Sequence, residues 1–154
     1  MSVKFYPLPV KKVIRETDDC VSIVFDVPNT LKEIFMYQQG QHLTIKANIN
    51  GEEVRRNYSL CSCPMEEEWR VAVKKIPTGI FSSYANDCLK QGDVLDVMPP
   101  MGHFYTTLNK DAKKKYLAFA AGSGITPIIS IIKTTLLTEP NSCFTLFYGN
   151  SKLF

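Results

Sequence analysis

Along the first hundred residues, apolar positions fall in short runs rich in β-branched and aromatic side chains. Val10 to Arg15, Val21 to Val27, His42 to Ile49, Val54 to Leu60, Trp69 to Lys74 and Val94 to Met98 each read as a strand. Turn signals separate them: Thr17-Asp18-Asp19, Pro28-Asn29, Gln39-Gly40, Asn50-Gly51 and Cys63-Pro64. Asn50-Gly51 is the clearest, because both residues tolerate the positive φ of a tight hairpin. Short strands at this spacing predict a small antiparallel barrel or sandwich. One helix interrupts it over Gly79 to Leu89, with Ser82 or Ser83 as N-cap and Gln91-Gly92-Asp93 as the exit turn.

After a soluble stretch, Asn109 to Lys115, the pattern changes. Tyr116 to Ala121 is a continuous apolar run, as in a parallel strand covered on both faces. Gly122-Ser123-Gly124 supplies a tight turn, Thr126 an N-cap and Pro127 a first helical residue. The helix runs to Pro140, and Cys143 to Tyr148 returns as a second apolar strand. This is one β-α-β unit, right-handed by the usual rule. A doubly wound sheet needs several more strands, and only six residues follow Tyr148, so this part is expected to be an incomplete α/β domain. The expected division is 1–108 for the β domain and 109–154 for the start of a nucleotide-binding domain.

Composition narrows the class. A chain of 154 residues holds one ordinary domain, or a small domain and the beginning of another, and excludes a long multidomain machine. With 45% hydrophobic and 21% charged residues it is globular rather than disordered. Residues 1–100 carry 12 basic and 13 acidic side chains, against 6 and 2 in residues 101–154, where Lys113, Lys114 and Lys115 dominate. Such a run solvates a linker or attracts an anion; the first is the commoner use. No basic stripe with interleaved aromatics points to nucleic acid. The N-terminus has no apolar h-region, and the apolar stretch from Tyr116 to Ile132 is broken by Gly122, Ser123, Gly124, Thr126 and Pro127, so neither export nor membrane insertion is expected. Five scattered cysteines suggest reduced thiols in a cytoplasm.

Two stretches are built for a phosphate-bearing cofactor. In Arg56-Asn57-Tyr58-Ser59, strand alternation puts Arg56 and Tyr58 on one face, where a guanidinium can hold phosphate and a ring can stack. Ser59 faces the other way in an ideal strand. An ion-pair donor beside a half-buried aromatic gives the same spacing. In Gly122-Ser123-Gly124-Ile125-Thr126-Pro127, glycines allow close backbone approach and a helix start favours an anion. A plain positive-φ turn explains that segment too. His42 and His103 read as structural, Cys61-x-Cys63 as ordinary thiols, and no metal site is assigned.

These residues together resemble a family. Arg56-x-Tyr58-Ser59, then Gly79-x-x-Ser82 opening a short helix, then Gly122 to Pro127, occur in the order and spacing of ferredoxin–NADP reductase-like flavoproteins. Gly40 to Thr44, Glu52 to Arg56, Gly102-His103-Phe104 and Thr138-Glu139-Pro140 resemble the reductase components of oxygenase systems for phenylacetate degradation. The resemblance implies a mainly β fold, a six-stranded antiparallel flavin-binding barrel with one short helix, followed by the incomplete β-α-β part. It implies FAD, with NAD(P)H as electron donor at an incomplete site. Arg56 would pair with pyrophosphate, Tyr58 pack on the isoalloxazine with Asn57 alongside, and Ser59 hydrogen-bond near N5. Val73 and Lys74 would line the adenosine side, and Gly79, Ile80, Phe81 and Ser82 cradle pyrophosphate. Gly122, Ser123, Gly124, Thr126 and Pro127 would seat nicotinamide, with Thr126 joining Tyr58 and Ser59 at the reacting centre, and Tyr148 would border the dinucleotide.

The pattern of the family is departed from in two places. The cysteine spacing of a plant-type ferredoxin cluster is missing, so an iron–sulfur partner domain or oxygenase component is expected elsewhere. Ser151 and Lys152 stand where an arginine is expected soon after Tyr148-Gly149-Asn150. Two readings follow: a flavin reductase module that binds FAD and turns over NAD(P)H poorly, or a barrel that serves as a binding or assembly module. Open strand edges in the second part predict self-association or a partner chain.

Overall fold

The computed structural model describes residues 4–150, so Ser151 and Lys152 lie outside the described residues. Six strands form the antiparallel sheet: β1 (Tyr6–Thr17), β2 (Cys20–Phe25), β3 (His42–Ile49), β4 (Glu52–Ser59), β5 (Trp69–Lys74) and β6 (Val94–Val97). Their order is β4-β3-β6-β1-β2-β5. A bridge between Leu60 and Val71, with the Cys61 N–H donating to the Arg70 carbonyl at 2.9 Å, joins the two outer strands and closes the barrel. The expected six-stranded antiparallel barrel is present.

β1 begins four residues earlier than the sequence suggests, because Pro7 and Pro9 read against a strand. Tyr6 to Pro9 pairs with β6 and Val10 to Thr17 with β2, so the prolines sit where pairing is one-sided and their missing N–H groups are tolerated. The β3–β4 hairpin turns through Asn50 (φ 53°) and Gly51 (φ 84°), the left-handed pair expected there.

Alternate strand residues fill the barrel: Leu8, Ile23, Phe25, Leu43, Ile45, Val71, Val73, Leu95 and Val97 are buried, and Phe35 and Phe81 join them in one core. Each such side chain contributes about 1.5–3 kcal/mol relative to exposure. The Trp69 indole donates to the Phe35 carbonyl at 2.7 Å, which fixes the irregular segment after β2 over the core.

α1 (Ile80–Asp87) starts at Gly79, and neither Ser82 nor Ser83 caps it, contrary to expectation. The Pro77-Thr78-Gly79 turn, closed by the Gly79 N–H on the Ile76 carbonyl, brings the helix start forward and leaves Ser82 inside it. Asn86 pins this helix to the barrel: its amide donates to the Val73 and Ser82 carbonyls, and its oxygen accepts from Arg15 at 2.9 Å.

The second part holds two parallel strands, β7 (Lys115–Ala121) and β8 (Cys143–Gly149), connected by α2 (Ile125–Thr138). A 3-10 turn over Gly122 to Gly124 runs straight into α2, so Gly124 takes the cap position and Pro127 is the third helical residue. Thr126 is therefore not the N-cap; its hydroxyl donates to the Ser123 carbonyl at 3.0 Å. α2 turns Ile128, Ser130, Thr134 and Thr135 inward, whereas Leu136 and Leu137 are exposed. At its C-terminal end the buried Glu139 carboxylate accepts from the Asn109 N–H, Ser142 and Tyr116, tying the linker to the strand pair.

Candidate functional site

The ends of β4 and β5, the start of α1 and the Gly122–Pro127 segment surround one groove of about 710 Å³. β4 contributes Arg56, Asn57, Tyr58 and Ser59; α1 and the turn before it contribute Gly79, Ile80, Phe81 and Ser82; the second part contributes Ser123, Gly124, Thr126 and Pro127. Three motifs up to 71 residues apart in sequence thus share one concave surface. Ser59 reaches it because it stands at the end of β4, where the strand leaves the sheet.

Three of the expected residues lie elsewhere. The Val73 side chain is buried in the barrel core, since β5 alternates and presents Ala72 and Lys74 outward. Gly122 and Tyr148 line a second cavity of about 330 Å³, which adjoins the groove through Ala72, Lys74, Ser123 and Thr126 and extends to Thr17, Cys20 and Asn150. Sequence reasoning missed Ala72, Ile76, Pro77 and Thr78 in the groove, and Asn86 behind it. Pro77-Thr78 was legible as a turn signal; nothing local marked the others.

The groove's charged lining residues are Arg56 and Lys74, both cationic. Arg56 is exposed, with one guanidinium nitrogen donating to the Arg55 carbonyl at 2.7 Å. Lys74 reaches Asp19 at 3.9 Å, a distance that leaves the pair weak. The first N–H groups of α1 have no acceptors within the helix and sit at the positive end of its dipole. Tyr58 is half-buried, with its ring 5.6 Å from that of Phe81, and burial pushes its hydroxyl above the ordinary value, so it stays a neutral donor. His42 and His103 do not line the groove.

Two backbone features show that the α1 entrance is built to a close tolerance. A Cβ on Gly79 would overlap the Ser82 hydroxyl and the Ile76 side chain. The Ser82 hydroxyl meanwhile accepts from the Ile76 N–H at 3.2 Å and donates to the Gly79 carbonyl at 3.3 Å. Thr78 sits at φ 61°, an unusual conformation for a β-branched residue. Strain of this kind concentrates at ligand clamps.

Comparison with known proteins shows the family. The sequence profile of the oxidoreductase FAD-binding domain matches residues 7–105. The chain is 52% identical over 146 residues to a component of the 1,2-phenylacetyl-CoA epoxidase of Escherichia coli K12, covering 95% of this chain and 41% of that protein. It is 40% identical over 145 residues to the ferredoxin reductase component of 3-ketosteroid-9-alpha-monooxygenase from Rhodococcus rhodochrous, covering 93% and 40%. Phthalate dioxygenase reductase, a modular structure for electron transfer from pyridine nucleotides to a [2Fe-2S] centre, superposes with a TM-score of 0.75 at 31% identity over 96% of this chain and 44% of its own. The chain spans about two fifths of the curated relatives it matches. The profile and these relatives show that this chain belongs to the ferredoxin reductase family of FAD-binding oxidoreductases.

Proposed function

We propose that the chain is the flavin module of a reductase, binding FAD in the groove, taking hydride from NAD(P)H and passing electrons toward an iron–sulfur partner of an oxygenase system. The observation that carries this reading is a groove whose charged lining is cationic and whose wall holds both the Tyr58 ring and the start of α1. A flavin dinucleotide has the matching parts, a pyrophosphate and a flat ring. FAD supplies the redox chemistry, accepting two electrons with a hydride and releasing them singly.

The protein's residues bind, orient and shield. Arg56, the α1 N–H groups and the Ser82 hydroxyl hold pyrophosphate, with Gly79 leaving room for the Ser82 hydroxyl at the helix start. Tyr58 packs against the isoalloxazine and Ser59 offers a hydrogen bond near N5. On the adenosine side Ala72 and Lys74 take the place of the Val73 side chain. Ser123, Gly124, Thr126 and Pro127 seat the nicotinamide against that ring, while Gly122 and Tyr148 border the rest of the dinucleotide through the adjoining cavity. Catalysis here is positioning, since hydride transfer needs donor and acceptor atoms held in contact with water excluded.

The likeness to the phenylacetyl-CoA epoxidase component supports phenylacetate degradation as the setting. Five free cysteines among the described residues support a cytoplasmic site of action. We divide the chain at 108 and 109, between the barrel and the nucleotide-binding part.

Purified protein reconstituted with FAD should be yellow, with a bound-flavin absorption band. Losing a charge-assisted pair costs about 1.5–3 kcal/mol, so Arg56→Ala alone should raise the FAD Kd by about 10- to 100-fold. Arg56→Ala with Tyr58→Ala should abolish the band. A folded, colourless wild-type protein that takes up no FAD refutes the reading.

A further inference from the structure

A helix rich in isoleucine buries a serine completely: Ser130 is 0% exposed, and its hydroxyl donates to the Ser62 carbonyl at 2.6 Å. The two residues are 68 positions apart and belong to the two halves of the molecule. Both ends of this bond are rigid. The Ser62 hydroxyl accepts from Tyr37 at 2.8 Å and the Arg70 N–H at 3.1 Å, and donates to the Glu68 carbonyl at 2.6 Å. On the helix, Thr134 donates to the Ser130 carbonyl at 2.7 Å.

The bond lies one short step from the groove on each side. Ser62 follows Ser59 by three residues, and the chain between them has no slack: the Leu60 N–H donates to the Gln41 carbonyl and the Cys61 N–H to the Arg70 carbonyl, both at 2.9 Å. Ser130 follows Thr126 by four residues, so the two stand on one face of α2 about 6 Å apart along its axis. A slide or roll of α2 at Ser130 is therefore transmitted to Thr126. The neighbouring polar contacts resist such movement weakly, and the Ile131 methyl beside Gly40 adds an apolar contact without direction. Lys133–Glu66 at 2.9 Å is an exposed pair, and Thr134 lies 3.5 Å from the Cys63 sulfur.

We infer that Ser130 is a positioning residue, whose buried hydrogen bond to the Ser62 carbonyl registers the Gly122–Pro127 segment against the Tyr58–Ser59 end of β4. The inference rests on the reading of the groove as an FAD site. It extends that reading by assigning the spacing of the two walls to a residue that touches neither ligand. A methyl side chain at 130 leaves the Ser62 carbonyl buried without its donor, and only the far wall is freed to shift.

Hydrogen exchange on the full chain, with and without saturating FAD, tests this without any turnover. In wild type, FAD should slow exchange in peptides spanning 56–60, which hold it, and in peptides spanning 122–127, which face it across the same groove through Ser123, Gly124, Thr126 and Pro127. In Ser130→Ala, FAD should still bind, with its Kd raised by no more than about fivefold, and still protect 56–60, while its protection of 122–127 falls by on the order of fivefold. Ser130→Thr, which keeps the hydroxyl, should restore that protection; a general loss of stability would instead affect every peptide. If Ser130→Ala is insoluble, Ser130→Cys, a weaker donor of similar size, takes its place in the same comparison. Undiminished protection of 122–127 in the variant, or none in the wild type, overturns the inference. Failure of the wild type to bind FAD overturns the functional reading instead.

Discussion

Gly79→Ala separates two roles of the α1 entrance, its contribution to stability and its fit to phosphate. The glycine backbone is at φ −74°, ψ 111°, open to any residue, so alanine there brings no conformational penalty. By itself the change should stabilise the chain by about 0.4–1 kcal/mol through the unfolded state. Against this, the new Cβ overlaps the Ser82 hydroxyl and the Ile76 side chain. Ile76 is exposed and can swing away, but Ser82 is buried inside the helix. Overpacking of this sort costs about 1–3 kcal/mol. Ser82's two hydrogen bonds, long at 3.2 and 3.3 Å, add about 0.5–1 kcal/mol when lost. The steric term wins, with a net loss of about 1–3 kcal/mol, or a fall in Tm of about 2–4 °C for each kcal/mol in a chain of this size. Because the displaced atoms border the proposed phosphate cradle, the FAD Kd should rise at least about tenfold. Melting curves and flavin fluorescence titrations read the two effects. Gly79→Ala with Ser82→Gly should recover part of the lost Tm while leaving FAD affinity weak, because the crowding is relieved but the hydroxyl is gone and a glycine stands inside α1. A single variant with unchanged Tm and unchanged Kd would show that the entrance is looser than the geometry says.

Two further outcomes follow from the second part of the chain. Glu139 is held below its ordinary value of 4.5, first by the Asn109 N–H and then by hydrogen bonds from Ser142 and Tyr116, so its contribution is present above that value and is lost as pH falls through the lower, folded one. Amide exchange followed from about pH 6 to pH 3 should show the β7–α2–β8 unit opening before the barrel, and Glu139→Gln should remove that pH dependence; simultaneous opening of both parts in the wild type would contradict this. Phe119 and Phe147 stack at 5.2 Å while 70% and 55% exposed, a surface we expect a second copy of this chain to cover. Light scattering should report a mass above the monomer that falls to the monomer in Phe119→Lys; a monomeric wild type at high concentration would refute it.

Local signals carried the barrel strands well, because period-two patterning and Asn50-Gly51 act over a few residues. They failed where pairing is one-sided: Pro7 and Pro9 concealed the start of β1, since proline is excluded only from strands bonded on both edges. Capping was misassigned at both helices for a shared reason. Ser82 and Thr126 are good cap residues by type, but a turn placed just upstream, Pro77 to Gly79 in one case and Gly122 to Gly124 in the other, starts each helix earlier and turns the hydroxyl into an internal donor. Val73 illustrates another limit. The motif identified its neighbourhood, whereas alternation within β5 decided that Ala72 and Lys74 face the groove. Asn86 and Ser130 were invisible, because their partners lie in distant segments that only folding brings near.

Those distant partners explain why the groove lies where it does. The sheet order leaves β4 and β5 as the two outer strands, and the barrel closes between them through Leu60–Val71 and Cys61–Arg70 rather than through a continuous ladder. Just before this seam, Ser59 ends β4; just after it, Ala72 and Lys74 continue β5 along the other side. Strands that part at a seam leave a cleft and backbone groups free for a ligand, which a fully laddered barrel would not. The same stretch of chain that forms the seam, Leu60 to Ser62, also receives Ser130. Closing the barrel and setting the position of the second wall are therefore one structural event: a barrel that closed one residue out of register would misplace Ser62, and with it Thr126, even with every groove side chain intact.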